Sequence, residues 1–351
     1  VIGTSPFLKL FSLTVKEKNA VRKALKNGDI QVIAGTHALI ARATEFQSLA
    51  LVITDEQHRF GVNQRAMLAD KGQNPHKLVM SATPIPRTLA LMIYGDLDIS
   101  ILNELPKGRQ PVDTFAVTGK LRARAYNFVK KELDSGRQGY IVCPLISSED
   151  GDSGLIAAKE YAEKLSEGIF SGYKVGLLHG KMSAAEKESV MSAFKNGDIS
   201  LLVSTTVVEV GVDVPNSTIM VIENADRFGL SQLHQLRGRV GRGQYKSYCI
   251  LIADDPNEET RERLKIISST TDGFKIAEED LKLRGSGDFF GDRQHGLPPM
   301  KFPEMSSDTV FLAACRQAAM KVAKEDPTLE RHPQLLKTVL RMFECGENGL
   351  N

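Results

Sequence analysis

No stretch of about 18 apolar residues occurs in the chain, so nothing in it reads as a membrane-spanning helix. Cysteine is scarce. The four residues Cys143, Cys249, Cys315 and Cys345 are scattered with no C-x-x-C pair, which excludes a zinc ribbon and a disulfide framework. A reducing compartment, the cytoplasm, is then the default setting. An excess of charge of either sign is also missing: 45 Lys and Arg face 43 Asp and Glu, a net charge of +2. Any nucleic-acid surface must therefore be local. Residues 1–13 are apolar but lack a basic leading region and a small-residue cleavage site, and so do not read as a signal peptide. No G-x-x-x-x-G-K-[ST] phosphate-binding loop is present, because Gly119-Lys120 and Gly180-Lys181 lack the glycine five positions upstream. The first residue is Val1, not Met, which reads as the start of a segment of a longer protein.

What is present is an ordinary globular composition, 351 residues with 42% hydrophobic and 25% charged. At about 100–200 residues per domain this makes two or three domains, each large enough for its own core. Short apolar runs at 31–34, 49–54, 77–80, 140–144, 174–178, 200–204, 218–223 and 248–253 alternate with helical patterns. Continuous apolar strands between helices predict an α/β fold with parallel sheets covered on both faces. An internal repeat accompanies them. Ala24-Leu-Lys-Asn-Gly-Asp-Ile30 and Ala193-Phe-Lys-Asn-Gly-Asp-Ile199 are each followed by a strand and a small residue plus Thr. The core of the repeat reads equally as convergent helix-stop chemistry, and its matching flanks favour two related lobes. Pro106-Lys-Gly-Arg-Gln-Pro111 marks the boundary between them, and Ser183-Ala-Ala-Glu186 is a capping box that opens a helix to Phe194. Beyond residue 255 the chain turns charged and helical, and residues 305–345 read as helices packed on the preceding domains.

Four constellations carry chemistry. The run ending in Asp55-Glu56-Gln57-His58 puts adjacent carboxylates at the end of a buried parallel strand, where open α/β sheets bind ligands. Alone, it is as readily a turn. Met80-Ser81-Ala82-Thr83-Pro84 is another strand end with hydroxyls, and by itself an ordinary helix cap. Gln235-Leu-Arg-Gly-Arg239-Val-Gly-Arg242 places Arg239 and Arg242 at i and i+3, on one face of a helix. Two guanidinium groups so placed suit transferring phosphates, although a basic helix end also complements its own dipole. Ser204-Thr-Thr-Val-Val-Glu-Val-Gly211-Val-Asp213 has hydroxyls at a strand end and a tight turn with one acid, and also reads as a plain strand–helix connection. Among isolated residues, His179-Gly180 reads as a capped strand end, His234 as packing between the lobes, and Phe289-Phe290 as a hydrophobic anchor. No His, Asp or Glu cluster has metal-ligand spacing.

In this order, on two related lobes, the four constellations resemble the motor of the superfamily 2 helicases and translocases, and Gly35-Thr36-His37-Ala38-Leu39 resembles its first-lobe DNA-contacting element. Asp55-Glu-Gln-His58-Arg-Phe-Gly61-Val-x-Gln64, Thr83-Pro-Ile-Pro-Arg-Thr-Leu-Ala-Leu91 and Tyr94-Gly-Asp-Leu-Asp98 narrow this to the RecG type. The Mfd-type transcription-repair coupling translocases are similar. Glu278 to Gly296 resembles the translocation motif that both types share. There Gly291-x-Arg293-Gln294 favours RecG, although Asp292 replaces the Thr usual in that family.

The resemblance implies two RecA-like lobes of the P-loop NTPase helicases, the first partial (1–108) and the second complete (109–256), with a helical translocation and C-terminal segment (257–351). It implies ATP and Mg²⁺ as cofactors and branched or forked double-stranded DNA as substrate, remodelled at stalled forks in recombination and repair. A monomer in the bacterial nucleoid, no membrane, and a single-stranded-DNA-binding protein as a candidate partner complete the picture. Asp55 would hold Mg²⁺ through water, and Glu56 would polarise the attacking water. Gln57 and His58 would couple nucleotide state to Ser81, Thr83 and Gln235, with Ala82 in the same coupling element. Gln235, Gly211 and Asp213 would meet the nucleotide, and Arg239 and Arg242 its γ-phosphate. Gly35, Thr36, His37, Ser204 and Thr205 would touch DNA, and Arg284, Arg293 and Gln294 would couple hydrolysis to movement. The Mfd-type translocase, an RNA helicase and a non-catalytic DNA-binding remnant are the alternatives. Without a P-loop, this chain alone is expected to hydrolyse no ATP at a useful rate. Residues 1–15 do not show the strand and small-residue turn that the family has there.

Overall fold

The computed structural model describes residues 7–9, 15–35, 39–41, 43–56, 67–68, 71–81, 98–102, 104, 109–144, 153–205, 213–284 and 309–347. These fall into two units, with residues up to 81 in the first and those from 98 onward in the second.

In the first unit, β1 (Phe7–Lys9) pairs in parallel with β2 (Val32–Ala34), and β3 (Leu51–Thr54) in parallel with β4 (His76–Val79). β1 corrects the expectation that residues 1–15 hold no strand. Three residues suffice because pairing needs only the backbone, and so short a segment has no periodicity to read. Helix α1 (Val15–Asn27) buries Val21 and Leu25, one turn apart. It ends in a Schellman motif: Gly28, at φ 81°, donates to the Leu25 carbonyl and Asp29 to that of Ala24.

The second unit is built on a six-stranded, wholly parallel sheet. Its strands are β5 (Val112–Thr118), β6 (Gln138–Val142), β7 (Val175–Leu178), β8 (Leu201–Ser204), β9 (Ser217–Ile222) and β10 (Ser247–Ala253), in the order β5-β10-β9-β6-β8-β7. β6, β8 and β9 are buried at every position. Alternation then sends their side chains to two cores. Ile141, Leu201, Val203, Ile219, Val221, Ile250 and Ile252 meet Ala125, Tyr126, Val129 and Leu133 of α2 (Arg122–Asp134) and Ala162 and Leu165 of α3 (Ser153–Glu167). On the other face Tyr140, Val142, Leu202, Met220, Ile222 and Leu251 meet four helices. These are α4 (Ala184–Lys195), α5 (Leu230–Arg237), α6 (Glu258–Ser269) and α7 (Gly273–Arg284). Strand β5 escapes sequence detection because it is an edge strand: Asp113 and Thr114 break its apolar run, and Phe115 stays half exposed.

The capping box at Ser183 forms as expected: its hydroxyl accepts from Glu186 N, and Glu186 Oε2 accepts from Ser183 N at 2.7 Å. Helix α4 ends as α1 does, with Gly197 at φ 87° donating to Phe194 and Asp198 to Ala193. The repeat is therefore one structural device used twice. Beyond residue 255 the described residues are helical, including α8 (Thr309–Glu325) and α9 (Pro333–Glu347). The described side chains of these last two helices are mostly exposed, Leu335 and Leu340 among them. An amphipathic pattern fixes a helix and its apolar stripe but not what covers that stripe. No helix among the described residues is long and apolar enough to cross a membrane.

A Cβ on Gly197 would meet nothing within 4 Å, so only its left-handed backbone resists substitution. Gly197→Ala is expected to destabilise the second unit by about 1 kcal/mol and Gly197→Asn by less, as read from urea unfolding midpoints.

Candidate functional site

Asp55 and Glu56 follow β3 directly. Glu56 takes φ 52°, and its N–H donates to Asp55 Oδ1 at 2.8 Å, so the chain turns sharply as it leaves the strand and keeps both acids at the strand end. Such a backbone is uncommon for a residue other than glycine. Met80 N donates to Thr54 O at 2.8 Å, which brings Ser81 to the same end of the β3–β4 pair. Gly35 follows β2. Gln57, His58, Ala82, Thr83, Thr36 and His37 lie outside the described residues, as do Gly211, Arg293 and Gln294. Arg284 is the last residue of α7.

The arginine segment differs from the sequence expectation. α5 stops at Arg237, Gly238 caps it, and Gly241 takes φ 76°, so Arg239 and Arg242 are not on one helix face. Two glycines within four residues end the helix, and a loop places the arginines instead. Gly241 is doubly required. A Cβ there would lie 2.7 Å from Val112 Cγ2 and 3.1 Å from the Gln110 carbonyl. Gly243 lies as close to the Pro215 carbonyl, 2.5 Å from an added Cβ. These approaches bring the loop against residues 110–112 on one side and 213–215 on the other. Arg242 donates Nε–H to the Gly238 carbonyl at 3.1 Å, and its Nη1 lies 3.8 Å from Asp213 Oδ1. Gln235 and Arg239 are half-buried.

Arg237, which the sequence left without a role, is a buried pin. Its Nη1 donates to the Ile267 and Thr270 carbonyls at 2.7 and 2.8 Å, at the C-terminus of α6, where a cation is favoured. Its Nη2 lies 2.8 Å from His234 Nδ1. Because a guanidinium can only donate, Nδ1 accepts and the imidazole proton sits on Nε2. Burial, then the charges of Arg237 and Arg109, push the His234 pKa down to about 4, against a smaller opposing effect of Asp272.

At the β7 and β8 ends, Thr205 N donates to Leu178 O at 3.2 Å, which sets His179 beside Ser204 and Thr205. Ser204 Oγ donates to the Thr205 carbonyl at 2.7 Å. Among the described residues His179 Nδ1 and Thr205 Oγ1 are buried with no hydrogen-bond partner. His179 follows the last residue of β7, at the strand end that the sequence suggested. Further along the same edge, Glu223 at the end of β9 is buried and accepts from Tyr126 Oη and from Arg122 Nε at 3.2 Å. Tyr126 also bonds Tyr161, and Arg122 Nη2 reaches Asp254 Oδ1 at 2.8 Å, at the end of β10. Burial raises both tyrosine pKa values and pushes the Cys143 thiol up to about 12. Among the described residues no cluster of three or more His, Cys, Asp or Glu could hold a metal.

Three family models match the chain: a DEAD/DEAH box helicase over residues 5–92, the helicase conserved C-terminal domain over 124–244, and domain 3, C-terminal, of the ATP-dependent DNA helicase RecG over 270–341. These matches define a superfamily 2 helicase. The chain is 48% identical over 342 residues to the ATP-dependent DNA helicase RecG of Synechocystis sp., covering 96% of this chain and 41% of that protein. It is 51% identical over 316 residues to RecG of Bacillus subtilis, covering 90% and 46%. A solved structure of RecG bound to a three-way DNA junction matches with TM-score 0.66 and 47% identity, over 87% of this chain and 39% of that one. Over nine-tenths or so of its own length the chain is similar to the RecG-type helicases, and it spans less than half the length of these relatives.

His234 gives a pH signature. The unfolded imidazole binds a proton below about 6.5, the folded one only near 4. The unfolded state therefore gains protons first, and this contribution to stability is lost as pH falls through that window, by roughly 2 kcal/mol at pH 5. Urea unfolding of His234→Gln is expected to show a shallower loss between pH 7 and 5 than wild type.

Proposed function

We propose that this chain is the motor part of an ATP-dependent helicase that translocates on double-stranded DNA and remodels branched substrates such as stalled forks. The observation that carries this reading is the near-50% identity to RecG over at least nine-tenths of the chain, in a chain that also holds an acid pair at the end of β3 and an arginine loop packed against Asp213. The RecG domain 3 match over 270–341 supports a RecG-type rather than an Mfd-type motor.

In this reading residues 1–108 and 109–256 act as two lobes and 257–351 as the coupling segment. The donor chemistry fits Mg-ATP. Asp55 and Glu56 offer hard oxygen donors suited to a largely hydrated Mg²⁺, and the loop around Gly238 gathers guanidinium groups near the carboxylate of Asp213. The cofactor, when bound, supplies the phosphoryl group whose hydrolysis drives movement. Asp55 would hold the ion through water, and Glu56 would orient and deprotonate the attacking water. Gln235, Gly211 and Asp213 line the nucleotide, and Arg239 and Arg242 stabilise charge on its terminal phosphate. Gln57, His58, Ser81, Ala82 and Thr83 relay nucleotide state. Gly35, Thr36, His37, Ser204 and Thr205 meet the DNA backbone. Arg284, Arg293 and Gln294 couple hydrolysis to stepping. A monomer in the bacterial cytoplasm, recruited by a single-stranded-DNA-binding protein, fits this work.

The test is ATP hydrolysis by the full-length protein, comparing forked DNA with single-stranded RNA at one salt concentration. Forked DNA is expected to stimulate strongly. Glu56→Gln or Arg242→Ala should remove that stimulation by on the order of a hundredfold or more. Stimulation by RNA alone would contradict the DNA-motor reading.

A further inference from the structure

The segment 106–111 reads in the sequence as a linker, yet its Arg109 is folded into the arginine loop. Arg109 Nη2 donates to the Gly238 carbonyl at 3.1 Å. That carbonyl also accepts from Arg242 Nε at 3.1 Å. Two guanidinium groups thus share one neutral acceptor. The carboxylate beside them, Asp213, is more than half exposed and 3.8 Å from Arg242, beyond hydrogen-bond distance. Among the described residues no carboxylate lies within ion-pair distance of Arg109. The arrangement is not loose: Gly241, whose absent Cβ leaves room for the Gln110 carbonyl and Val112, holds residues 110–112 against the loop.

A half-buried cation beside a second cation is costly unless an anion completes the group. The strain is visible in Arg109 itself. Burial first, then the charge of Arg242, lower its pKa, and the attraction of Asp213 does not restore it. Arginine presents a planar fork of donors that fits a phosphate with two parallel hydrogen bonds. One fork is only partly used at Gly238, and the other faces the same carbonyl from the opposite side of the sequence. An anion that bridged them would relieve the repulsion and give each guanidinium a charged acceptor.

We propose that Arg109 is a third arginine of this phosphate site, binding a polyphosphate oxygen of the nucleotide together with Arg242. The proposal rests on the reading of the arginine loop as the nucleotide-facing element. Its consequence is mechanical. Arg109 begins the second lobe at the end of the Pro- and Gly-rich segment 106–111, so phosphate binding and release act directly on the segment that joins the lobes. Arg242 reports the nucleotide to its own lobe, and Arg109 reports it to the joint.

The test uses the full-length protein with forked DNA and ATP, and three variants. Arg109→Gln keeps an N–H donor for the Gly238 carbonyl but removes the charge. Arg109→Lys keeps the charge but not the fork. Arg242→Ala is the reference for the loop itself. Arg109→Gln is expected to raise the KM for ATP about tenfold or more with a smaller fall in kcat. Arg109→Lys should recover part of that loss, and the unfolding midpoints without ligand should stay close to wild type. In parallel, inorganic tripolyphosphate should raise the unfolding midpoint of wild type and of Arg109→Lys more than that of Arg109→Gln. Wild-type KM and kcat in Arg109→Gln, with hydrolysis abolished in Arg242→Ala, would overturn the role of Arg109 and leave the loop's role standing. Unchanged hydrolysis in Arg242→Ala would overturn the nucleotide reading of the loop, and this proposal with it. If Arg109→Gln proves unstable, equal stabilisation of wild type and Arg109→Lys by tripolyphosphate and by chloride at matched ionic strength would overturn the proposal.

Discussion

The buried carboxyl group of Glu223 holds the carboxyl edge of the six-stranded sheet together. It ends the central strand β9, takes hydrogen bonds from Tyr126 and Arg122 of α2, and through Arg122 is joined to Asp254 at the end of β10. Removing one partner of such a group leaves a buried polar or charged atom unpaired, a larger loss than the net gain from forming the pair. Immediately after Glu223 the chain turns through Asn224 at φ 48° and a short 3-10 turn, Ala225–Arg227. Arg263 of α6 fastens this turn at the Asp226 carbonyl, 2.7 Å away. Only then does α5 begin. The position of the arginine loop is thus inherited from a network at the sheet edge and from the Arg237 pin at the end of α6.

Within the loop, shape and charge are set by different residues. Gly238, Gly241 and Gly243 decide where the backbone runs, because two of them admit carbonyls or a valine that any side chain would displace. The arginines decide what the loop can bind. Arg237 spends its donors on carbonyls and an imidazole and so acts structurally, while among the described residues Arg242 has one neutral acceptor and a long contact with Asp213. Two arginines five positions apart thus sit in different settings, and burial separates them: Arg237 is almost wholly enclosed, Arg242 is not.

The strands of the sheet interior were legible because burial on both faces forces a continuous apolar run, as in β6, β8 and β9. The two Asn-Gly-Asp stops and the Ser183 box were legible because capping is local chemistry. β5 was not, since an edge strand tolerates polar residues, and β1 was too short to carry a period. The acid pair at 55–56 and the arginine segment were legible as residue types in order. The helix-face geometry given to Arg239 and Arg242 was wrong because glycine at 238 ends the helix. Arg109 and Glu223 were invisible for one reason: their partners lie 129 and 101 positions away in the sequence, and a backbone carbonyl leaves no mark in it.

Recognition of a terminal phosphate by the arginine loop is the central proposal. The most direct measurement is equilibrium binding of ADP and of a non-hydrolysable ATP analogue to the full-length protein, wild type and Arg242→Ala. The account predicts that Arg242→Ala weakens the triphosphate by roughly tenfold and leaves ADP unchanged. Equal weakening of both nucleotides, or of neither, would contradict it.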